Sequence, residues 1–440
     1  MSREFDSLLI FCVIIILMMN YEDTMKLIEK VATLGSIPGL DSIKELMKQL
    51  DNIQETFPVL HVAGTNGKGS TCYYMASILK EAGYKVGCFM TPDVYCYEDK
   101  FMVDGERITK EELARYYSIT EDACQRMTKQ GMAHPTLFEM EVAVAFLAFT
   151  AHCVDLVILE CGMGGELDAT NIICQPLQCI FTPIGLDHMA FLGDTISLIA
   201  RTKAGIIKEC ADVILAPQQE EAYMEIKKQA EAKACTCTMV ETDEIVHVRR
   251  TADGFLFDYG DYQNLQIHTQ ADYQLENAAT AVLAMKRLNE KLGNITSEHI
   301  RAGLVKKTLF GRFDQISENP LIYLDGAHNE PAALRLSQTI ENKFTNKTIV
   351  YIIGMLKDKA CEKVLKQMAK HTSHIICMPT TGSRGLEAKE LAGYARAYYS
   401  EIELAGNAKE AISMAKAAHP DVIICFGSLS QLKNIKKDLE

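Results

Sequence analysis

The sequence predicts an α/β protein of two domains, each built on a mostly parallel sheet, with antiparallel ribbons added to the first domain. Short apolar runs alternate with amphipathic segments between Val59 and Thr182, and the same alternation resumes near Arg312. Between these two series, residues 244–270 contain short alternating runs separated by turns, a pattern typical of antiparallel ribbons. The 440 residues are enough for two or three domains with hydrophobic cores.

The composition argues against some classes of function. With 58 acidic and 45 basic side chains, the formal net charge is -13, and a large nucleic-acid interface would need clustered Lys and Arg instead. The 15 cysteines are scattered and stand mostly in apolar runs, as at Cys179 and Cys425. We expect them to be reduced core thiols of a cytoplasmic protein. The close pair Cys235 and Cys237 lacks the spacing of a zinc site.

The chain starts with an apolar stretch from Leu8 to Met19. A bilayer requires about 20 apolar residues, so this stretch is too short for a transmembrane helix and no membrane association is expected. It is not followed by the small-residue cleavage site of a signal peptide. We therefore expect residues 1–19 to be an extension outside the fold, with translation starting at Met18 or Met19.

The first domain is expected to span residues 20–297. The segment VLHVAG predicts a buried strand, and the helical spacing of Met75, Ile78 and Leu79 predicts a helix that ends at Gly83. Further strands are predicted in KVGCFM, VDLVILE and QCIFTPI, with helices over residues 136–150 and about 272–289.

The second domain is expected to span residues 312–440, after a linker over residues 298–311. A short helix is predicted after Ser297, and the chain from about Lys306 to Phe313 is predicted as a connection. The segments LIYLDGAHN, TIVYIIG, HIICMPT and VIICFGS alternate with helices and predict four strands of a smaller, Rossmann-like α/β domain. Ligands are expected at the carboxyl ends of the strands and in the cleft between the domains.

A glycine-rich loop lies between the first predicted strand and helix, which is the context that a phosphate-binding loop requires. Its glycines allow backbone N–H groups to turn toward phosphates, and the helix N-terminus adds partial positive charge. Lys68 would supply a full positive charge and Ser70 a ligand for Mg²⁺. The predicted nucleotide-binding residues are Gly64, Thr65, Asn66, Gly67, Lys68, Gly69, Ser70 and Thr71.

The loop departs from the strict phosphate-loop pattern, because Gly64 precedes Gly67 by only three residues and Gly69 separates Lys68 from Ser70. In this form, GTNGKGS resembles the loop of folylpolyglutamate synthases in the Mur-ligase superfamily. Further motifs occur in the order of that family: IPGL at 37–40, LE followed by GMGGELDATN, TPIGLDHMAFLGDT, IARTKAGIIK, GRF at 311–313 and LDGAHN at 324–329. The resemblance extends over nearly the whole chain from about residue 20.

This resemblance to the folylpolyglutamate synthase and dihydrofolate synthase family implies an ATP-dependent amide ligase. Such an enzyme joins L-glutamate to a folate-type carboxylate through an acyl phosphate. The family resemblance also suggests a monomer that acts on small-molecule substrates. The acceptor stays open between dihydropteroate, a folate monoglutamate and a polyglutamate.

The resemblance also implies metal ligands. Glu160 and His188 each follow a predicted strand, at the edge of the sheet where ligands bind. By resemblance, Ser70, Glu160 and His188 hold one Mg²⁺, which neutralises charge on the phosphate oxygens. Lys203 in TKAGIIK is similar to a family lysine that is carbamylated and assists a second Mg²⁺. Carbamylation requires a lysine whose pKa is lowered by burial or by nearby cations.

The resemblance extends to residues that would contact the nucleotide. Arg312 in GRF resembles an interdomain arginine that contacts ATP phosphates, through its planar fork of donors. Asp325 and His328 in LDGAHN resemble residues of the second domain that meet the nucleotide, Asp325 through ribose hydroxyls. Asn277 is similar to an asparagine near the adenine, although an asparagine inside a helix can equally bond within its own domain. The implied catalytic residues are Lys68, Lys203, His188 and Arg312.

Several positions depart from the family pattern, mainly in regions expected to touch the pterin or the glutamate. Asp93 occupies a histidine position, Glu166 replaces an arginine of many relatives, and Val142 replaces a threonine. ADYQ at 271–274 replaces a version that contains histidine, and Ser430 stands where GSLY ends in tyrosine. The choice of acceptor therefore stays open.

Two other interpretations remain. Another Mur-type ligase, acting in cell-wall or poly-amino-acid synthesis, would use the same ATP chemistry. A phosphate-loop NTPase that acts as a switch or a kinase would explain residues 64–71 but would leave the LDGAHN domain without a role.

Overall fold

The computed structural model describes residues 18–35, 38–306, 310–380, 382 and 384–439. The apolar stretch expected to lie outside the fold falls on residues 1–17, which are outside the described residues, as is Ile37 of the IPGL motif. The side chain of Ser430 is likewise outside the description. In the described part of the chain, no helix combines the length and the apolar composition that crossing a bilayer requires.

The first sheet has eight strands within the described residues. In chain order they are β1 (Val59–Ala63), β2 (Val86–Phe89), β3 (Phe101–Val103), β4 (Glu106–Arg107), β5 (Leu156–Glu160), β6 (Gln178–Phe181), β7 (Asp212–Leu215) and β8 (Thr236–Met239). Their order across the sheet is β4-β3-β2-β5-β1-β6-β7-β8. Strand β1 pairs in parallel with β5 and β6, whereas β3 is antiparallel to β2 and β4. The predicted mostly parallel sheet is therefore confirmed.

Helices cover both faces of this sheet. They are α1 (Tyr21–Ala32), α2 (Asp41–Lys48), α3 (Lys68–Glu81), α4 (Lys110–Lys129), α5 (Leu137–Ala151), α6 (Met189–Leu192), α7 (Ile196–Ala204), α8 (Glu220–Ala232), α9 (Gln274–Leu292) and α10 (Ser297–Leu304). Helices α4 and α5 pack on one face of the sheet, and α3 and α9 pack on the other. The core therefore consists of separate clusters on the two sides of β1.

The local sequence explains these elements. Every residue of β1, β5 and β6 is buried, as expected for parallel strands covered on both faces. Helix α5 is apolar nearly all round and is buried, and it starts with a capping box between Thr136 and Glu139. Helix α3 ends before Gly83, which has a φ of 88°. The predicted core thiols Cys179 and Cys425 are buried and form no disulfide.

The antiparallel ribbon is a three-stranded sheet of β9 (Ile245–Arg250), β10 (Phe255–Tyr259) and β11 (Tyr262–Ile267), in the order β11-β10-β9. Alternate side chains point inward, including Phe255 and Phe257, and they join the core beside α3 and α9. The predicted ribbon is therefore confirmed, and it covers part of the first domain.

The second sheet has six strands in the described residues. They are β12 (Arg312–Glu318), β13 (Leu321–Asp325), β14 (Ile349–Ile353), β15 (His374–Cys377), β16 (Glu401–Leu404) and β17 (Val422–Phe426), in the order β12-β13-β17-β14-β15-β16. The associated helices are α11 (Glu330–Lys343), α12 (Cys361–Met368), α13 (Ala388–Ala395), α14 (Ala408–Ala417) and α15 (Leu429–Leu439). All pairings are parallel except that of β12 with β13. The four strands predicted for this domain are confirmed.

The connection predicted up to Phe313 is wrong at its end, because Arg312 and Phe313 already belong to β12. This edge strand is mostly polar and half-exposed, so no apolar run marked it; only Phe313 is buried, with its ring stacked 4.6 Å from that of Tyr323. Within the predicted linker, α10 packs against α3. The domain boundaries themselves stay a prediction.

The contact between α10 and α3 depends on a glycine. A Cβ atom on Gly303 would lie 2.5 Å from the Cα of Ile78, so the helices would have to move apart. We expect Gly303→Ala to lower the free energy of unfolding by about 1–3 kcal/mol. Gly393→Ala in α13 is the matched control, since its Cβ would meet no atom within 4 Å. That change should raise the stability by about 0.5–1 kcal/mol through helix propensity. Equal urea denaturation curves for the two variants would contradict this packing.

Candidate functional site

The loop between β1 and α3 requires glycine at two positions. Gly64 has a φ of 151° and Gly67 has a φ of 87°, a region that side chains rarely adopt. A Cβ on Gly64 would collide with Thr182, and a Cβ on Gly67 would collide with the side chain of Asn277. The loop backbone is therefore enclosed by packed side chains. A loop of this kind at a helix N-terminus can present N–H groups to an anion.

Thr65 and Asn66 tie the loop to neighbouring segments. The hydroxyl of Thr65 donates to the carbonyl of Gly185 and accepts from its N–H, both at 3.0 Å. Asn66 exchanges two amide hydrogen bonds with Asn329 of the second domain, at 3.0 and 3.2 Å. The second domain therefore contacts the loop itself.

The first turn of α3 is buried against α9. Gly69, Ser70 and Thr71 are all buried, and the hydroxyl of Ser70 accepts from Nε2 of Gln274 at 3.1 Å. Asn277 donates to Oε1 of Gln274 at 2.9 Å. Asn277 thus bonds within its own domain beside the loop, which is one of the two alternatives left open by the sequence. Its role near an adenine stays a prediction.

Lys68 and Glu160 meet at the carboxyl edge of the first sheet. Lys68 is the first residue of α3, and its Nζ lies 3.8 Å from Oε1 of Glu160 and 3.4 Å from the carbonyl of Thr65. Glu160 ends β5, and its other oxygen accepts from the N–H of Thr91 at 3.2 Å. Burial raises the pKa of Glu160, and the charge of Lys68 opposes that shift. A carboxylate and an ammonium thus share the space next to the loop.

Lys203 of α7 is buried, and its side chain contacts the loop. Its Nζ donates to the carbonyl of Gly64 at 2.7 Å. Burial, together with the positive charge of Lys68, lowers the pKa of Lys203 to about 7. Roughly half of the side chains would then be neutral amines at pH 7. This is the property that carbamylation requires, while the carbamylation itself stays a prediction.

His188 lies at the start of the short helix α6, with a φ of 51°. Burial and the positive charge of Lys359 lower the pKa of His188 to about 4, so the imidazole is neutral near pH 7 and keeps a lone pair. The charges of Lys203 and Lys68 contribute to the same shift, which puts His188 within electrostatic reach of the loop. Joint binding of one Mg²⁺ by Ser70, Glu160 and His188 stays a prediction.

Two site residues of the second domain face the first domain. Arg312 at the start of β12 pairs in register with Asp325 at the end of β13. Asp325 accepts from the hydroxyl of Tyr273 at 2.6 Å, and Tyr273 directly precedes α9 of the first domain. The positive charge of Arg312 acts to lower the pKa of Glu160. Arg312 and Asp325 therefore lie on the side of the second domain that faces the phosphate loop.

Asp187 joins the two domains through a buried ion pair. Its carboxylate accepts from Nζ of Lys359 at 2.7 Å and from Nδ2 of Asn329 at 2.9 Å, and Nε2 of His328 lies 3.6 Å away. The side chains of Asp187 and Lys359 are only 10% and 7% exposed. Although burial opposes ionisation, the neighbouring His328 and the charge of Lys359 hold the pKa of Asp187 well below its usual range.

The comparisons with known proteins decide the family. Residues 62–285 match the Mur ligase middle domain, and residues 311–429 match the Mur ligase, glutamate ligase domain. The chain is 33% identical over 429 residues to the dihydrofolate synthase/folylpolyglutamate synthase of Bacillus subtilis, covering 96% of this chain and 99% of the relative. The chain belongs to the dihydrofolate synthase/folylpolyglutamate synthase family. The resemblance inferred from the motifs is confirmed.

Solved structures of this synthase family share the fold. The Mycobacterium tuberculosis folylpolyglutamate synthase complexed with ADP and AMPPCP has a TM-score of 0.88 at 24% identity, covering 95% of this chain and 98% of that one. Escherichia coli FolC in complex with DHPP and ADP has a TM-score of 0.84 at 28% identity, with coverages of 94% and 97%. A bifunctional folylpolyglutamate synthase/dihydrofolate synthase with Mn, AMPPNP and L-glutamate bound has a TM-score of 0.80 at 27% identity, with coverages of 94% and 98%. The predicted fold class is confirmed.

The departures from the synthase family pattern have different surroundings. Asp93 pairs with Nζ of Lys100 at 3.3 Å, and the same ammonium lies 2.8 Å from Glu141. Val142 is wholly buried in the hydrophobic core, so its side chain offers nothing to a substrate. Tyr273 of the ADYQ segment contacts Asp325 of the second domain. Asp93 and Glu166 are the charged departures, and the side chain of Asp93 is partly exposed while Glu166 is exposed.

Three residues of this synthase site were not singled out from the sequence: Asp187, Asn329 and Lys359. Asp187 directly precedes His188, and Asn329 is the last residue of the LDGAHN motif, so both stood inside recognised motifs. Lys359 lies in the connection before α12 and belongs to none of them. Its role follows only from the contact with Asp187, 172 positions away in the chain.

The buried ion pair gives a testable expectation. Asp187→Ala would leave the ammonium of Lys359 buried without a counter-charge, and we expect a loss of about 3–5 kcal/mol in the free energy of unfolding. The matched control is Glu330→Ala, which removes a 3.0 Å ion pair with Lys363 whose side chains are both 47% exposed. An exposed pair contributes about 0–1 kcal/mol. Calorimetric unfolding measures both, and losses of equal size would refute a special role for Asp187.

Proposed function

We propose that this protein is an ATP-dependent ligase that joins L-glutamate to a folate-type carboxylate, with dihydropteroate, a tetrahydrofolate or both as acceptors. The observation that carries the proposal is the convergence of Lys68, Glu160 and Lys203 on one glycine loop, with Arg312 of the second domain within electrostatic reach. Membership of the dihydrofolate synthase/folylpolyglutamate synthase family supports the same reaction.

The nucleotide in this proposal is ATP. The backbone of residues 64–71 and the ammonium of Lys68 bind its phosphates, and Arg312 binds them from the side of the second domain. Asp325 binds the ribose hydroxyls, with His328 and Asn277 completing the nucleotide site. Two family members solved with ADP or AMPPNP bound support this assignment.

The proposed metal is Mg²⁺, held by Ser70, Glu160 and His188. A hydroxyl, a carboxylate and a neutral imidazole are donors that suit a divalent cation at a phosphate site. When bound, the ion neutralises charge on the phosphate oxygens. The family member solved with Mn, AMPPNP and L-glutamate supports a divalent ion in this kind of site.

The reaction follows from these parts. The acceptor carboxylate attacks the terminal phosphorus of ATP, and ADP leaves. The amine of glutamate then attacks the acyl phosphate, an amide bond forms with loss of a proton, and phosphate leaves. Lys68 and Arg312 bind the phosphate oxygens during both transfers. The contacts of Asp187 with Lys359 and of Asn66 with Asn329 hold the domains together and exclude water that would hydrolyse the acyl phosphate.

Lys203 is proposed to carry a carbamate. Its neutral amine attacks CO₂, a nitrogen–carbon bond forms, and a proton is released to give an anion. This anion would supply oxygen ligands to a second Mg²⁺. The lowered pKa of Lys203, to about 7, and its burial next to the loop support the proposal.

The remaining assignments concern organisation. We propose domains over residues 20–297 and 312–440 with a linker over residues 298–311, and a protein that works as a cytoplasmic monomer. Its partners are small molecules: ATP, L-glutamate and a folate or dihydropteroate. The net charge of -13 supports the absence of a nucleic-acid partner. No membrane partner is proposed.

The ligase proposal is tested with purified protein, ATP, Mg²⁺, L-glutamate and either dihydropteroate or a tetrahydrofolate. We expect ADP to form in step with a product that has gained one glutamyl unit by mass spectrometry. If ADP is released at the same rate with and without glutamate, and no such product forms, the ligase proposal would be refuted and an NTPase favoured. Glutamyl transfer to neither acceptor would favour a different Mur-type substrate.

For Lys203, we expect Lys203→Ala to lower turnover by about 100-fold, with partial rescue by acetate or formate, because a free carboxylate can replace the carbamate as a ligand. Turnover of the unmodified protein should rise with pH through about 7, as the amine becomes neutral. Turnover of the rescued variant should show no such rise with pH. Lys208→Ala, a change in the same TKAGIIK segment, is the control and should retain normal turnover. Full activity of Lys203→Ala would exclude the carbamate.

A further inference from the structure

A second group of potential metal ligands lies at the end of α4, among residues that the proposed ligase does not use. Glu121 and Cys124 are one helical turn apart on α4, and His134 stands in the segment between α4 and α5. One ligand atom from each of the three residues lies within 4.8 Å of the other two. Cys124 is fully buried, whereas Glu121 and His134 are 18% and 23% exposed. The group is thus open to solvent on one side.

The ring of His134 is oriented by a backbone carbonyl. Its Nδ1 lies 2.7 Å from the carbonyl oxygen of Pro135, and because a carbonyl can only accept, Nδ1 carries the hydrogen. In the neutral ring, Nε2 then has a lone pair. That lone pair faces Oε2 of Glu121 at 3.2 Å. A histidine whose second nitrogen donates to a backbone carbonyl is the usual arrangement of a metal-binding imidazole.

The carboxylate of Glu121 is oriented as well. Nε2 of Gln125 donates to its Oε1 at 3.1 Å, which leaves Oε2 directed at His134. An imidazole lone pair and a carboxylate oxygen in contact repel each other unless a proton or a metal ion lies between them. The sulfur of Cys124 supplies a third donor at the same point.

We propose that Glu121, Cys124 and His134 bind one Zn²⁺, with water in the fourth position. Zinc prefers tetrahedral sites of sulfur, nitrogen and oxygen ligands, with bonds of about 2.0–2.3 Å. Binding forms a zinc–sulfur bond, and the proton of the Cys124 thiol leaves to solvent. The ion would fasten the end of α4 to the segment that leads into α5.

The test uses the full chain, stripped with a chelator and titrated with Zn²⁺ against a competing metal indicator. We expect one Zn²⁺ per chain, together with a rise in Tm. His134→Gln and Glu121→Gln change partly exposed side chains, and each should weaken binding by about 100-fold while the circular dichroism is retained. The control variant is His152→Gln, because His152 contacts Glu112 of the same helix at 2.7 Å and does not belong to the group of Glu121, Cys124 and His134. It should bind Zn²⁺ normally.

Substitution with Co²⁺ tests whether the thiol of Cys124 is a ligand. Co²⁺ bound to a thiolate gives a charge-transfer band in the near ultraviolet, so the unmodified protein should show this band and Cys124→Ala should lack it. Another thiol, Cys161, lies 3.2 Å from Nε2 of His61 near the phosphate loop. If His134→Gln kept both the band and the affinity, the ion would belong elsewhere and the proposal would be overturned. An unmodified protein that binds no Zn²⁺ would overturn it too, since a proton would then bridge Glu121 and His134.

Discussion

The hydrogen bond from Lys203 to the carbonyl of Gly64 is the contact on which the phosphate loop depends. A Cβ on Gly64 would collide with Thr182, so the loop is held at this residue through its backbone carbonyl. An ammonium, a neutral amine and a carbamate nitrogen all retain an N–H that can donate to this carbonyl. The proposed carbamylation would therefore reverse the charge beside the loop without releasing the loop from α7.

The second support of the loop comes from the other domain. Asn66 is a loop residue, yet its amide bonds with Asn329, which also caps α11 and donates to Asp187. Burying the Asp187–Lys359 pair costs desolvation, and such pairs persist where several hydrogen bonds fix their geometry. The contact with the second domain and the shape of the loop are thus coupled through Asn66.

The sequence predicted the parts of the fold that carry a strong apolar signal. The central strands β1, β5, β6 and β13 were predicted because all or nearly all of their residues are buried, which gives a continuous apolar run in the sequence. The edge strands β12 and β16 were missed because edge positions are half-exposed and polar. The missed strand β12 matters for the site, because it begins at Arg312.

The residues proposed to contact ATP and Mg²⁺ were selected because they stand in motifs whose order resembles a family, and the structure gathers most of them about one loop. Lys359 could not be selected in this way. A lone lysine in a surface-like segment carries no local pattern, and its burial arises only from tertiary packing against a carboxylate far away in the chain. Contacts of this kind are visible in a structure and not in a single sequence.

The first proposed Mg²⁺ site and the proposed Zn²⁺ site differ in the softness of their ligands. Ser70, Glu160 and His188 offer two oxygens and one imidazole, a set that suits Mg²⁺ at phosphates, whereas the thiol of Cys124 favours Zn²⁺. Cys161 directly follows Glu160, so a thiol does occur near the phosphate loop. Its sulfur, however, packs in the core with Phe181 and contacts His61. Because that sulfur is buried and contacts His61, the donors proposed for Mg²⁺ are two oxygens and one imidazole without a thiolate.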